Sequence, residues 1–342
     1  MLKIKHLQKG DKVAIVSLSS GMLGEDFCNH TLEIGTARLE ALGLVPVFME
    51  NSLKGIEYVK NNPDKRAYDL KAAFLDDDIK AVICAIGGND TFLTLAHLLD
   101  DQEFIEAVEN NPKIFLGYSD STTNHFMFNK LGLPTFYGQS FVTDIAELDT
   151  NMLEYSEKAF KRLFDEEFVN NINSSPVWYE ERKQFGSDQV GISRIKHGEA
   201  RGHEYINWRN DIEGIVFGGC LESIYEMLKP TQGNIQEEIF DKYNLYPDLE
   251  YWNNKILFLE TSEEKPNPET FENMIKAIDD TGTLKVIQAL IFAKPQDEVF
   301  YEEYKSILSK YANKYNLPVI LNINIGHSYP KTILKLNHKI KL

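Results

Sequence analysis

A chain of 342 residues with 43% hydrophobic and 26% charged side chains holds enough apolar material for two separate cores and has an ordinary globular composition. Its 36 Lys and Arg against 52 Asp and Glu leave a net charge of −16, which argues against nucleic acid or an anionic membrane as a partner, since both need a basic surface. Cys28, Cys84 and Cys220 lie far apart without CxxC spacing, no run reaches the roughly 18 apolar residues of a membrane span, and MLKIKHLQKGDKVAIV lacks an apolar leader core, so a cytoplasmic protein without a disulfide framework or zinc signature is expected.

The first half alternates short apolar runs with amphipathic segments. Val13–Ser20 reads as a strand running into a small-residue turn. The spacing over His30–Leu44 predicts a helix ending at Gly43, and Val45–Met49 a strand. A helix around Lys65–Phe74, the strand Lys80–Gly88, a helix over Asp90–Leu99, the strand Lys113–Ser119 and a long helix over Asn151–Phe164 follow. Nearly continuous apolar strands alternating with helices imply a parallel sheet covered on both faces, with ligands collecting beyond the C-terminal strand ends.

Residues 165–212 are polar with scattered aromatics, among them Trp178 and Trp208, and suit either a substrate-covering loop or small strands with satellite packing. Alternation resumes after Ile212 and ends in the alternating stretch Ile333–Leu342, giving a second α/β domain. The expected division is therefore 1–165, a connecting region 166–212, and 213–342.

Four strand ends carry candidate chemistry: GGND (Gly87–Asp90), GYSDST (Gly117–Thr122), LET (Leu259–Thr261) and IGHS (Ile325–Ser328). Each polar element follows an apolar strand directly. Together they supply a serine, a carboxylate, an imidazole and a glycine turn, the parts needed for nucleophilic acyl transfer. Ser119 would sit at a strand-to-helix turn, as a nucleophile or as a helix cap; Ser121 stands where a G-x-S-x-G elbow has its second glycine. The Gly87-Gly88 turn fits an oxyanion-hole partner, a plain tight turn, or a phosphate loop similar to the GGDGT loops of some kinases. Glu260 ends a buried strand and needs a partner that an imidazole could provide. His327 follows Gly326 as a candidate base or a loop residue. His125 competes for the base role, but six residues beyond Ser119 it is expected to face another way.

The order of LQKGDKVAIVSLSS, AIGGND, LGYSDST, GGCLES, KILFLET and PVILNINIGHS resembles the serine peptidase family of LD-carboxypeptidases and microcin C self-immunity peptidases over nearly the whole chain. The aromatic segment with Trp178 and Trp208 looks closer to the microcin-type branch, whose corresponding loop covers substrate. The resemblance implies a Rossmann-like (flavodoxin-like) N-terminal domain with a parallel sheet and a smaller C-terminal α/β domain of swivelling type, with a triad assembled between them. It implies Ser119 as nucleophile, Glu260 as the acid orienting His327, and backbone N–H groups of Gly88 and Asp120 as the oxyanion hole. In that reading Asp120 acts through its amide rather than its carboxylate.

Trp178, Trp208 and Cys220 become candidate substrate contacts, Cys220 standing where many members have the asparagine of GGNL. Homodimers are usual in the family, and no metal or organic cofactor is implied. The substrate is a murein peptide cut before its terminal D-residue or a peptidyl- or aminoacyl-nucleotide. Thr261-Ser262-Glu263-Glu264 occupies the place where microcin-type members can carry basic residues, which weighs against the nucleotide. The competing readings are a phosphotransferase using the GGND loop, an ordinary α/β-hydrolase, and a non-catalytic binding protein.

Overall fold

The computed structural model describes residues 1–342 and divides into two compact units, one formed by Met1–Phe168 with Arg182–Arg194, the other by Val169–Glu181 with Ile195–Leu342. The segment following residue 165 is thus shared between the units.

In the first unit, strands β1 (Lys12–Val16), β2 (Val45–Phe48), β3 (Ile79–Cys84), β4 (Ile114–Gly117) and β5 (Phe136–Tyr137) pair in the order β5-β4-β3-β1-β2, all parallel. This is the flavodoxin-like doubly wound order, and its switch point lies between β1 and β3. Helices α1 (Asn29–Ala41), α2 (Ile56–Asn61), α3 (Pro63–Leu75), α4 (Leu95–Leu98), α5 (Gln102–Asn110), α6 (Thr122–Lys130) and α7 (Glu154–Lys161) connect or follow the strands. The sheet is parallel because its strands are apolar on both faces: Ile114–Gly117 is buried throughout, and β3 exposes only Lys80.

Two expected helices are shorter than predicted. The stretch from Asp90 forms a 3-10 turn over Thr91–Thr94 before the single turn of α4. There the Thr94 hydroxyl donates to the Thr91 carbonyl at 2.7 Å, one of the local side-chain bonds by which threonine competes with regular helix. Asn151–Phe164 reduces to α7 and a 3-10 turn over Arg162–Phe164.

The second unit has its own sheet in the order β14-β9-β10-β11-β12-β8. Strands β9 (Glu213–Cys220), β10 (Lys255–Glu260), β11 (Ala289–Ala293) and β12 (Val319–Ile323) are parallel, and antiparallel β8 (Glu204–Ile206) and β14 (His338–Lys341) close the edges. Helices α8 (Leu221–Leu228), α9 (Asn234–Tyr243), α10 (Leu249–Trp252), α11 (Pro268–Asp280), α12 (Thr283–Val286) and α13 (Tyr301–Tyr315) fill the crossovers. Helix α11 starts as its sequence dictates, with Pro268 in the first turn and the Asn267 side chain accepting from the Thr270 amide at 3.0 Å.

Two three-residue strands, β6 (Val177–Tyr179) and β7 (Lys196–Gly198), pair antiparallel within the aromatic segment. The alternating C-terminal stretch is broken into β13 (Leu334–Lys335) and β14 at Asn337, whose φ of 55° interrupts extended backbone.

Candidate active site

Ser119 lies directly beyond the end of β4, after Tyr118, in a 3-10 turn that runs into α6. Its φ of 62° puts a non-glycine residue in the left-handed region, the kind of local strain that collects at functional turns. The residue is nearly buried, and its amide donates to the Tyr137 hydroxyl at 3.1 Å, so that N–H is already used.

The Gly87-Gly88 turn packs against this elbow. A Cβ placed on Gly87 would lie 3.1 Å from the Ser119 hydroxyl and 3.6 Å from the Asp120 amide nitrogen. Gly88, at φ 154°, leaves no room for a side chain, because a Cβ would fall 2.1 Å from the Ser19 hydroxyl. The Gly87 carbonyl accepts from the Ser20 amide at 3.2 Å, and peptide planarity sends the Gly88 N–H the opposite way. The rest of GGND is tied down. Asp90 pairs with the buried Arg66 guanidinium at 2.6 Å and accepts from Ser19 at 3.1 Å.

The Asp120 carboxylate has a use that residue order did not suggest. It accepts from the Thr91 amide at 2.9 Å, while the Thr91 hydroxyl donates to Asn124 at 3.1 Å. Two residues one helical turn apart thus fasten the glycine turn to the elbow.

His125 faces away from the elbow's tip, with Nδ1 against the Thr135 hydroxyl at 2.7 Å and Nε2 against the Gly117 carbonyl at 3.1 Å. Burial pulls its pKa down to about 4, the Gly117 carbonyl acting in the other direction. It is a core histidine with both ring nitrogens engaged. Beside the elbow, Ile86, Val142, Ala146, Leu148 and Phe185 line a cavity of about 220 Å³. Its charged wall is buried Glu147, which accepts from Arg194 at 2.6 Å and from Arg182 Nε at 3.0 Å.

In the second unit the ends of β10 and β12 bring Glu260 and His327 together. Glu260 is 1% exposed, and its Oε2 meets His327 Nδ1 at 2.8 Å and accepts from the His327 amide at 3.2 Å. Gly326, at φ 78°, permits this closeness: a Cβ there would lie 2.3 Å from the same oxygen. The other ring nitrogen, Nε2, meets Glu263 Oε2 at 2.8 Å. Burial lowers the pKa of His327, but Glu260 and then Glu263 outweigh it and push it up to about 10; the same bond to His327 brings Glu263 down to about 2.

Cys220 pairs with Glu260 in the β9–β10 register and is 1% exposed. Its thiol donates to Glu222 at 3.2 Å and is pushed well above the usual thiol range by burial, then by Glu222 and Glu260. Buried Glu222 also accepts from the Ser262 amide and hydroxyl at 2.9 and 2.8 Å. Trp178 stacks on His197 at 4.2 Å with the Lys294 ammonium 5.4 Å from its ring, and Trp208 packs on Tyr205 at 4.6 Å.

Sequence reasoning missed Glu263, Glu222 and Tyr137. Glu263 stood in the stretch Thr261-Ser262-Glu263-Glu264 and Glu222 in GGCLES, but only folding shows which acid meets which group.

This combination defines an α/β protein of two units, one offering a serine elbow beside a glycine turn and the other a buried carboxylate–histidine pair. Residues 13–138 match the LD-carboxypeptidase N-terminal domain and residues 213–342 the LD-carboxypeptidase C-terminal domain. An MccF-like protein from Streptococcus pneumoniae, solved in complex with AMP, is 43% identical over 97% of this chain and 96% of its own, with a TM-score of 0.93. The "Probable murein peptide carboxypeptidase" of Bacillus subtilis is 28% identical over 98% of this chain and 90% of its own length. The microcin C7 self-immunity protein MccF of Escherichia coli is 23% identical over 81% of this chain and 75% of its own. The chain belongs to the LD-carboxypeptidase family of peptidases, on its microcin-immunity-like side.

Proposed function

We propose that the protein is a serine-type amide hydrolase working through an acyl-enzyme. The observation that carries this reading is the pairing of His327 Nδ1 with buried Glu260 at 2.8 Å, which fixes the imidazole so that Nε2, met by Glu263 in this structure, is the nitrogen left to exchange a proton once that contact is given up. In this mechanism Ser119 Oγ attacks the scissile carbonyl while Nε2 takes its proton. The tetrahedral oxyanion is held by the amides of Gly88 and Asp120. Collapse breaks the C–N bond as His327 returns the proton to the leaving amine. Water, deprotonated by the same nitrogen, then releases the acyl group from Ser119. Glu260 stabilises the imidazolium formed at each step.

The substrate class we favour is an aminoacyl- or peptidyl-nucleotide, because the 43%-identical Streptococcus pneumoniae protein was solved with AMP. A murein L,D-peptide is the second reading, supported by the Bacillus subtilis relative and by the acidic Glu263-Glu264 pair after Glu260. We propose a cytoplasmic homodimer as the working form and Trp178 and Trp208 as substrate contacts. Purified protein assayed on both substrate panels, with Ser119→Ala as control, tests the proposal. Turnover of one panel, abolished by Ser119→Ala, is expected; undiminished turnover by Ser119→Ala would overturn the mechanism.

A further inference from the structure

Glu263 touches the ring nitrogen that the proposed mechanism requires. Its Oε2 lies 2.8 Å from His327 Nε2, although its side chain is 61% exposed and free in sequence terms to point into solvent. The backbone around it is held on both sides. Ser262 is fixed by its two bonds to buried Glu222, and Lys265, at φ 47°, pairs with Asp297 at 2.6 Å. The Ser262 hydroxyl also accepts from the Glu264 amide at 3.2 Å, closing the turn. The loop thus aims one carboxylate at the imidazole.

An imidazole that donates from both nitrogens to carboxylates is an imidazolium and has no lone pair to accept a serine proton. The pairing of Glu263 and the base function of His327 therefore exclude each other. We infer that Glu263 is a positioning residue that occupies the proton-accepting nitrogen of His327 in the substrate-free protein and must be displaced before Ser119 can be deprotonated. The inference rests on the proposed serine mechanism.

The groups facing this contact are few. Glu260 holds Nδ1 from β10, Glu222 and Cys220 stand behind Glu260, and Lys331 adds a positive charge near Glu263. Of the two carboxylates on His327, only Glu263 can leave without uncovering a buried charge, since Glu260 is 1% exposed.

The sign of the effect follows. Both carboxylates raise the pKa of His327, so the neutral base gains population only as pH rises. Removing Glu263 lowers that pKa and moves the ascending limb of kcat/KM to lower pH. Glu263→Gln should shift the limb down by about one pH unit, raising kcat/KM near neutrality by about tenfold. The gain should come through KM, with plateau kcat nearly unchanged, because bound substrate has already displaced the carboxylate. Glu263→Asp, one methylene shorter, should fall between the two.

The experiment pairs these pH profiles with an NMR titration of the His327 imidazole in substrate-free protein, which reads the contact without turnover. A lowered imidazole pKa together with the shifted limb is the expected result. An unchanged imidazole titration, or a fall in plateau kcat in Glu263→Gln, overturns the inference. Turnover surviving Ser119→Ala instead overturns the serine mechanism, and the competition for Nε2 with it.

Discussion

The two strand-end clusters are built by different physics. At the end of β4 almost everything is backbone geometry: a positive φ at Ser119, a glycine turn with no room for a Cβ, and a carboxylate spent on fastening Thr91. At the ends of β10 and β12 it is charge: one imidazole held between two carboxylates, with a third behind them. Backbone conformation itself carries no charge through which pH and salt could act. The second kind responds to both, most of all through exposed Glu263.

The largest effects should come from removing the reacting groups on either side. Under the proposed mechanism Ser119→Ala and His327→Ala each lower kcat/KM on the order of 10⁴-fold or more, and the double variant is no worse than either single one, because that mechanism uses both groups in one step. Additive losses in that cycle would break the proposed mechanism. Next comes the closest contact on the charged side. Gly326→Ala drives a Cβ to within 2.3 Å of the Glu260 carboxylate and strains a φ of 78°. Displacement of that carboxylate should cost about 10²-fold in kcat, the scale of roughly an ångström of misplacement. Wild-type kcat from this variant would show that Glu260 does not need its observed position.

The backbone side makes a prediction of opposite sign. If Ser119 is held in the left-handed region against its preference, glycine there should relieve it. Ser119→Gly should abolish turnover yet stabilise the first unit by roughly 1 kcal/mol, since such conformations cost about 1–3 kcal/mol and glycine returns part of that as unfolded-chain entropy. Chemical denaturation followed by a probe in the first unit measures it. A variant no more stable than Ser119→Ala would mean the elbow stores no strain.

The same contrast explains what was legible in the sequence. The first sheet could be read because Ala81–Cys84 and Ile114–Gly117 are buried on both faces and so stay apolar. The strand ends could be read because each switches abruptly from apolar to polar. Short-range competition hid the shape of Asp90–Leu99, where the Thr94 side chain bonds to local backbone. The acid–base partners of the second unit were harder. Glu260, Glu222 and Glu263 look alike in sequence, and their roles separate only when β9, β10 and β12 align: one is buried on Nδ1, one holds Ser262, and one sits on Nε2. The bond of Asp120 to Thr91 was missed for the same reason, spanning 29 positions.

A pH-dependent effect sharpens the comparison through the other engaged histidine. His327 is pushed up by carboxylates, whereas His125, among Phe115, Tyr137 and Thr135, is pulled down from 6.5 to about 4 by burial. A depressed folded-state pKa means His125 contributes stability fully above its unfolded value, and loses it as pH falls from about 6.5 through about 4, where only the unfolded chain takes the proton. His125→Gln removes that titration while also disturbing the bonds to Thr135 and Gly117, at a cost of about 1 kcal/mol each. The variant should therefore be less stable than wild type at pH 8, with the gap narrowing towards pH 4, since all other carboxylates and histidines titrate in both proteins. Urea unfolding at intervals across this range measures the gap. A gap constant with pH would mean that His125 takes its proton as readily in the folded protein as in the unfolded chain, and that burial at the back of β4 does not set its charge.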